Sequence, residues 1–200
     1  MSRASANRPG TQGAWDGGNV DAEHIEFLRH RCKITLAELV TARLPGAENS
    51  PAPKASEVVV FAEHFARGFG LPASNFFFTF LTHFGLQVHQ LATNAVLQLA
   101  AYVILCEGFL GIKPCVDIWR RLFYFKKQSL TDGVTRHKRM TACGAALIHH
   151  RAGSGFLKLP LQDSTKKWQR GFFNVKNVNP QDDHINLPPF VNAPPTEKLN

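Results

Sequence analysis

Two hundred residues, 44% of them hydrophobic and sixteen of them Phe, suffice for one domain with a bulky core and ragged ends. The net charge of +8 is uneven: 113–176 hold fourteen Lys and Arg against three acids, 1–112 hold eight against nine, and 177–200 one against three. The longest apolar run, 96–112, spans seventeen residues and contains Gln98, Glu107 and two Gly, which excludes a membrane span and favours a core helix.

Residues 1–20 are rich in Gly, Ser, Ala and Asn without apolar periodicity, and predict a disordered tail with no secretory leader. Over 21–44, Ile25, Leu28, Cys32, Leu36, Leu39 and Val40 recur at spacings of three and four, which predicts a helical segment, split where Thr35 can cap a second helix. Pro45-Gly46 stops it, and 45–56 read as a Pro-rich linker to a domain at 57–178. The run Val58-Val59-Val60-Phe61 predicts a strand. Ser74 or Asn75 caps a helix to about Phe84 with Phe77, Phe80, Leu81 and Phe84 on one face, and Gly85 provides a left-handed stop.

Next comes a central helix at about 94–111, whose stripe of Leu99, Val103 and Ile104 is expected to be almost fully buried. Pro114 opens a further helix with Ile118, Trp119, Leu122 and Phe123 inside and Arg120 and Arg121 in water. Beyond Lys127, short apolar and aromatic runs at 143–148, 156–161 and 168–175, with the Asp132-Gly133 turn, predict strands. The fold class is α+β: a helical N-terminal part followed by a small antiparallel sheet, with a Pro-rich tail at 179–200.

Chemical motifs are sparse. His83 and His89 straddle Gly85, His149-His150 stand apart, and there is no Cys-x-x-Cys or His-x-x-x-His pair, so no metal or other cofactor is expected. Cys32, Cys106, Cys115 and Cys143 lack paired spacing and read as small buried hydrophobes in a reduced, intracellular compartment. Glu107, inside the most apolar helix, is either an acid or base of raised pKa or the buried partner of Arg67, Arg120 or Arg121. No positioned base accompanies any cysteine, no small-molecule substrate is implied, and the chain reads as a non-enzyme.

The basic block has two readings: a surface that attracts polyanions by releasing counterions, or a solvated face that keeps the domain soluble. Its candidate contacts to nucleic acid or to an acidic protein are Arg120, Arg121, Lys126, Lys127, Arg136, Lys138, Arg139, Lys166, Lys167, Trp168 and Arg170. Trp119 is read as core from its periodicity. Trp168, set among Lys166, Lys167 and Arg170, is the aromatic expected to stack on bases.

The succession RGFGLPASNFF, HFGLQVHQLATN, LCEGFLGI, WRRLF, FLKLPLQDSTKKWQRGFFNVKN and INLPPF, across about 57–195, resembles the gypsy-type transposon domain of plant retrotransposon-related proteins. The resemblance implies a retroelement origin, a soluble domain and no transferable catalytic residue. It also implies that this chain is a truncated or isolated copy, because longer members often continue into charged sequence. Thr131-Asp132-Gly133 has the wrong order for a retroviral-type aspartic protease. The chain is too short for a reverse transcriptase or an integrase, and no zinc knuckle is present. Two functions follow: a structural or weakly nucleic-acid-associated retroelement protein, or a co-opted protein-interaction domain.

Overall fold

Phe172, Phe173 and Val175 draw the late strand β7 (Phe172–Asn177) into the middle of a sheet, where residues 172–175 are all buried. The structure is a computed structural model and describes residues 15, 17–31, 39–131, 138–156, 159, 161 and 167–195, with the backbone alone at 130–131 and 138–140. In it β7 runs antiparallel between β1 (Val40–Arg43) and β2 (Val58–Phe61), in register Ala42 with Val175 and Val60 with Phe173. A strand flanked on both edges and covered on both faces favours such a continuous apolar run.

The N-terminal expectations divide. Helix α1 (Ala22–Arg31) forms and buries Ile25 and Leu28. Val40–Arg43, expected to end a helix, is a strand, because pairing with β7 and the β-branched Val40-Thr41 outweigh a spacing that fits either structure. Cys32, Thr35 and Leu36 lie outside the described residues.

The segment 45–56 is not a free linker. The Arg43 guanidinium donates to the carboxylates of Glu48 and Glu57 and to the Ala52 carbonyl, with Nη2 2.7 Å from Glu57 Oε2. Described parts of both predicted tails are also built in. Trp15 stacks on Phe61 at 6.1 Å, and the Asn19 N–H donates to the Arg170 carbonyl at 2.9 Å. In 179–195, Ile185 is buried, Phe190 packs on His89 and Trp15, and Gln90 Nε2 donates to the Ala193 carbonyl at 2.8 Å. A few anchors are enough to hold a segment whose average composition is polar.

After β2, helix α2 (Ala62–Ala66) leads to α3 (Asn75–Phe84), which starts and stops as expected. Ser74 Oγ accepts from the Phe77 N–H at 3.2 Å, and Gly85 takes the left-handed conformation at φ 61°. Phe77, Phe80, Leu81 and Phe84 are all buried. A 3₁₀ turn at Val88–Gln90 then enters α4 (Thr93–Ile104).

Here the central-helix expectation needs correction. Leu99 is 1% exposed, but Val103 is only partly buried and Ile104 is 58% exposed. The chain continues as a π-helical turn, Leu105–Phe109, before Gly111 breaks it at φ 62°. A π turn carries extra residue per turn and rotates the following side chains off the α-helical stripe. Phe109, Leu110 and Ile112 therefore project outward, and Glu107 is exposed. The buried-acid reading of Glu107 falls with that exposure, and Arg67 pairs with Glu63 at 2.8 Å.

Helix α5 (Val116–Leu122) buries Trp119 against Phe80 and Phe84, with ring centroids at 4.8 and 5.5 Å. Ile118, expected inside, is 39% exposed. The chain passes directly into β3 (Phe123–Lys127), which pairs with β6 (Ala146–His150), while β4 (Ser129–Thr131) pairs with β5 (Lys138–Met140). Gln98 Nε2, on α4, donates to the Ile148 carbonyl at 3.1 Å and ties the helical layer to β6. Among the described residues the architecture is α+β with three small antiparallel sheets, the first of which takes two strands from the N-terminal part. Among the described residues no helix is long and apolar enough to cross a membrane.

Candidate nucleic-acid interface

Strand β3 alternates strictly. Phe123 is fully buried and Phe125 packs on Trp119 at 5.1 Å, so Tyr124 and Lys126 take the opposite face. The register sets Tyr124 across from His149 and Lys126 across from Leu147 on β6. Tyr124 is 40% exposed, and its ring lies 5.7 Å from the His149 ring.

Arg151, just past β6, completes this face. Its Nε donates to the carbonyls of Arg120 at 2.7 Å and Phe123 at 3.0 Å, and its N–H to the Leu122 carbonyl at 2.8 Å. These bonds satisfy acceptors at the C-terminal end of α5, where a cation also suits the helix dipole. They hold the guanidinium 5.8 Å from the centre of the Tyr124 ring. Burial holds His149 below the ordinary histidine range, and the nearby Lys126 and His150 add to the effect. The positive charge of the face at neutral pH thus comes from Lys and Arg.

Arg120, Arg121, Lys126 and Arg151 are exposed and Lys127 is half-buried. Among the described residues none of the five forms an ion pair. The other candidate residues are arranged differently. Lys138 and Arg139 lie on β5 opposite Thr131 and Leu130, with side chains outside the described set. Arg136 and Lys166 lie outside the described residues. Lys167 is exposed at φ 62° and Arg170 is half-buried, its carbonyl taken by Asn19.

Trp168 corrects the sequence expectation most sharply. It is 7% exposed and packs on Phe61 at 5.2 Å and on His64 at 4.8 Å. The left-handed turn at Lys167 starts a 3₁₀ turn, Trp168–Gly171, that turns the indole inward, so its faces belong to the core. The aromatic available beside the basic residues is Tyr124. Sequence reasoning passes over Tyr124 and Arg151 and takes up His149 only as a candidate metal ligand. The usable signal was the alternation Phe-Tyr-Phe-Lys-Lys at 123–127, which follows the helix too closely to stand out as a separate strand.

The described concavity lies elsewhere. A groove of about 220 Å³ between 68–74 and α4 is lined by Phe69, Pro72, Phe77, Leu99, Val103 and Ile104, with Ser74 its one polar side chain. That hydroxyl caps α3. The histidines furthest from their ordinary behaviour are internal: burial takes His64 to about 3, against a weaker pull from the Leu91 backbone, and His89 to about 4. Both are shut inside the aromatic core at 0% and 1% exposure. Cys106 and Cys143 are buried, whereas Cys115, expected to be so, is exposed. Among the described residues no group of three or more His, Cys, Asp or Glu is placed to hold a metal ion.

The family described as "Putative gypsy type transposon" matches residues 58–127, from β2 to the end of β3. Over this span the chain is similar to a transposon-related domain, of the family that LCEGFLGI and WRRLF resemble. LPLQDSTKKWQ and INLPPF fall outside the match. No curated protein and no solved structure matches the chain.

Proposed function

We propose that this transposon-related protein is non-catalytic and associates weakly with nucleic acid, with little sequence preference, through the exposed cations of its basic block. The carrying observation is the set Arg120, Arg121, Lys126 and Arg151, exposed and without ion-pair partners among the described residues, at the junction of α5, β3 and β6. Unpaired cations release counterions on meeting a phosphate backbone, whereas cations already bound to carboxylates gain less. Phosphate contacts give affinity without reading sequence. The non-catalytic reading is supported by the apolar groove and by the confinement of His64 and His89 to the core.

A second reading, a protein-interaction domain that meets an acidic partner, draws on exposed Phe109 and Leu110 close to Lys113. Titration at low salt against single- and double-stranded nucleic acid, with an acidic protein as competitor, separates the two. Nucleic-acid binding that falls steeply with salt and resists the competitor is expected. Absence of binding at about 50 mM salt, where phosphate contacts are strongest, contradicts the proposal and favours the protein partner.

A further inference from the structure

We infer that the outward face of β3 and β6 is a stacking platform for single-stranded nucleic acid, with Tyr124 as the residue on which a base lies. The inference rests on the nucleic-acid reading above and assigns its ligand class. Three observations meet at this face. Tyr124 is 40% exposed although both its neighbours in β3 face the core side. The Arg151 guanidinium is held over the Tyr124 ring, 5.8 Å from its centroid, by two carbonyls, with no carboxylate on it among the described residues, so its charge stays available. Lys126 stands two positions along the same face, about 7 Å further by strand geometry, and Arg120 and Arg121 are exposed on the helix that feeds the strand.

An exposed ring with cations spaced along the chain is the arrangement that holds a strand by base stacking and backbone neutralisation together. Every base has a π face, so stacking is tolerant of sequence. In a duplex those faces are already stacked on neighbouring pairs and only the phosphates remain available. The platform therefore prefers single strands, while charge alone does not discriminate in this way.

Labelled single-stranded and duplex oligonucleotides of equal length are titrated against the full chain and its Tyr124→Leu and Tyr124→Phe variants. Tyr124→Leu is expected to weaken single-strand binding about 5- to 150-fold, the range for losing one stacked base, and to leave duplex binding within about twofold. Tyr124→Phe keeps the ring and is expected to stay close to the parent. In parallel, the unaltered protein is photocrosslinked to a bromouracil-substituted single strand. The crosslink is expected at Tyr124, and this readout does not depend on how the variants fold. Equal binding of both ligands, with Tyr124→Leu silent and crosslinks elsewhere, overturns the platform but leaves charge-driven association intact. No binding of either ligand at about 50 mM salt overturns both.

Discussion

The residues before 113 and those from 113 to 151 use their charges in opposite ways. In the first region Arg43 is bound by Glu48 and Glu57, the latter with a side chain only 5% exposed, and Arg67 is bound by Glu63. In the second, Arg120, Arg121, Lys126, Lys127 and Arg151 have no acidic partner among the described residues. The same residue types hold a loop in place in one region and stand ready for a ligand in the other. Charge counted along the sequence does not make that distinction, whereas pairing does.

The largest expected effects lie in the core of the first region. Leu99→Ala should cost about 2–5 kcal/mol in urea unfolding, because Leu99 is almost fully buried. Ile104→Ala, on the same helix but past the turn of the stripe, should cost less than about 1 kcal/mol. Comparable losses at both sites would mean that the helix is covered on both faces.

Acid should weaken the first region next. His64 and His89 titrate near 6.5 when unfolded but at about 3 and about 4 in the fold. Between those values the unfolded chain takes up protons that the folded chain refuses, so their contribution is complete above about pH 6.5 and declines as pH falls. At pH 4.5 the loss should be about 2–3 kcal/mol per histidine, read as a lower urea midpoint than at pH 7. His64→Gln should flatten that profile, and an unchanged slope would show that His64 is not held neutral.

A smaller effect sharpens the contrast in charge. Arg43→Gln leaves Glu57 without its main partner and should cost about 1–3 kcal/mol, with faster proteolysis within 45–56. Arg120→Ala with Arg121→Ala should change stability by no more than about 0.5 kcal/mol. Similar losses from the two changes would remove the distinction between structural and available cations.

Local signals were the legible part of this fold. Ser74 as a cap, Gly85 as a stop, the Val-Val-Val strand and the phenylalanine face of α3 each depend on neighbours within a few positions. Ile104 was misread because it stands five positions after Leu99, about 140° around an α-helix from it, and so already faces outward before the π turn begins. Trp15, Ile185 and Phe190 were hidden in polar segments, since one aromatic ring can anchor a stretch whose composition suggests none. Within the candidate site Arg120, Arg121 and Lys126 were legible as exposed cations. Trp168 was misassigned because its basic neighbours say nothing about the turn that buries it. Tyr124, His149 and Arg151 come together only through the pairing of strands about 25 residues apart, which a single sequence does not display.

The most direct test of the account is the salt dependence of nucleic-acid binding by the full chain and by a variant in which Arg120, Arg121 and Lys126 are all Ala. The logarithm of affinity for a single strand should fall linearly with the logarithm of salt concentration, and the triple variant should lower that slope by about 2. The same slope in both proteins, or no binding by the unaltered chain at about 50 mM salt, would contradict the assignment of these cations to a phosphate backbone.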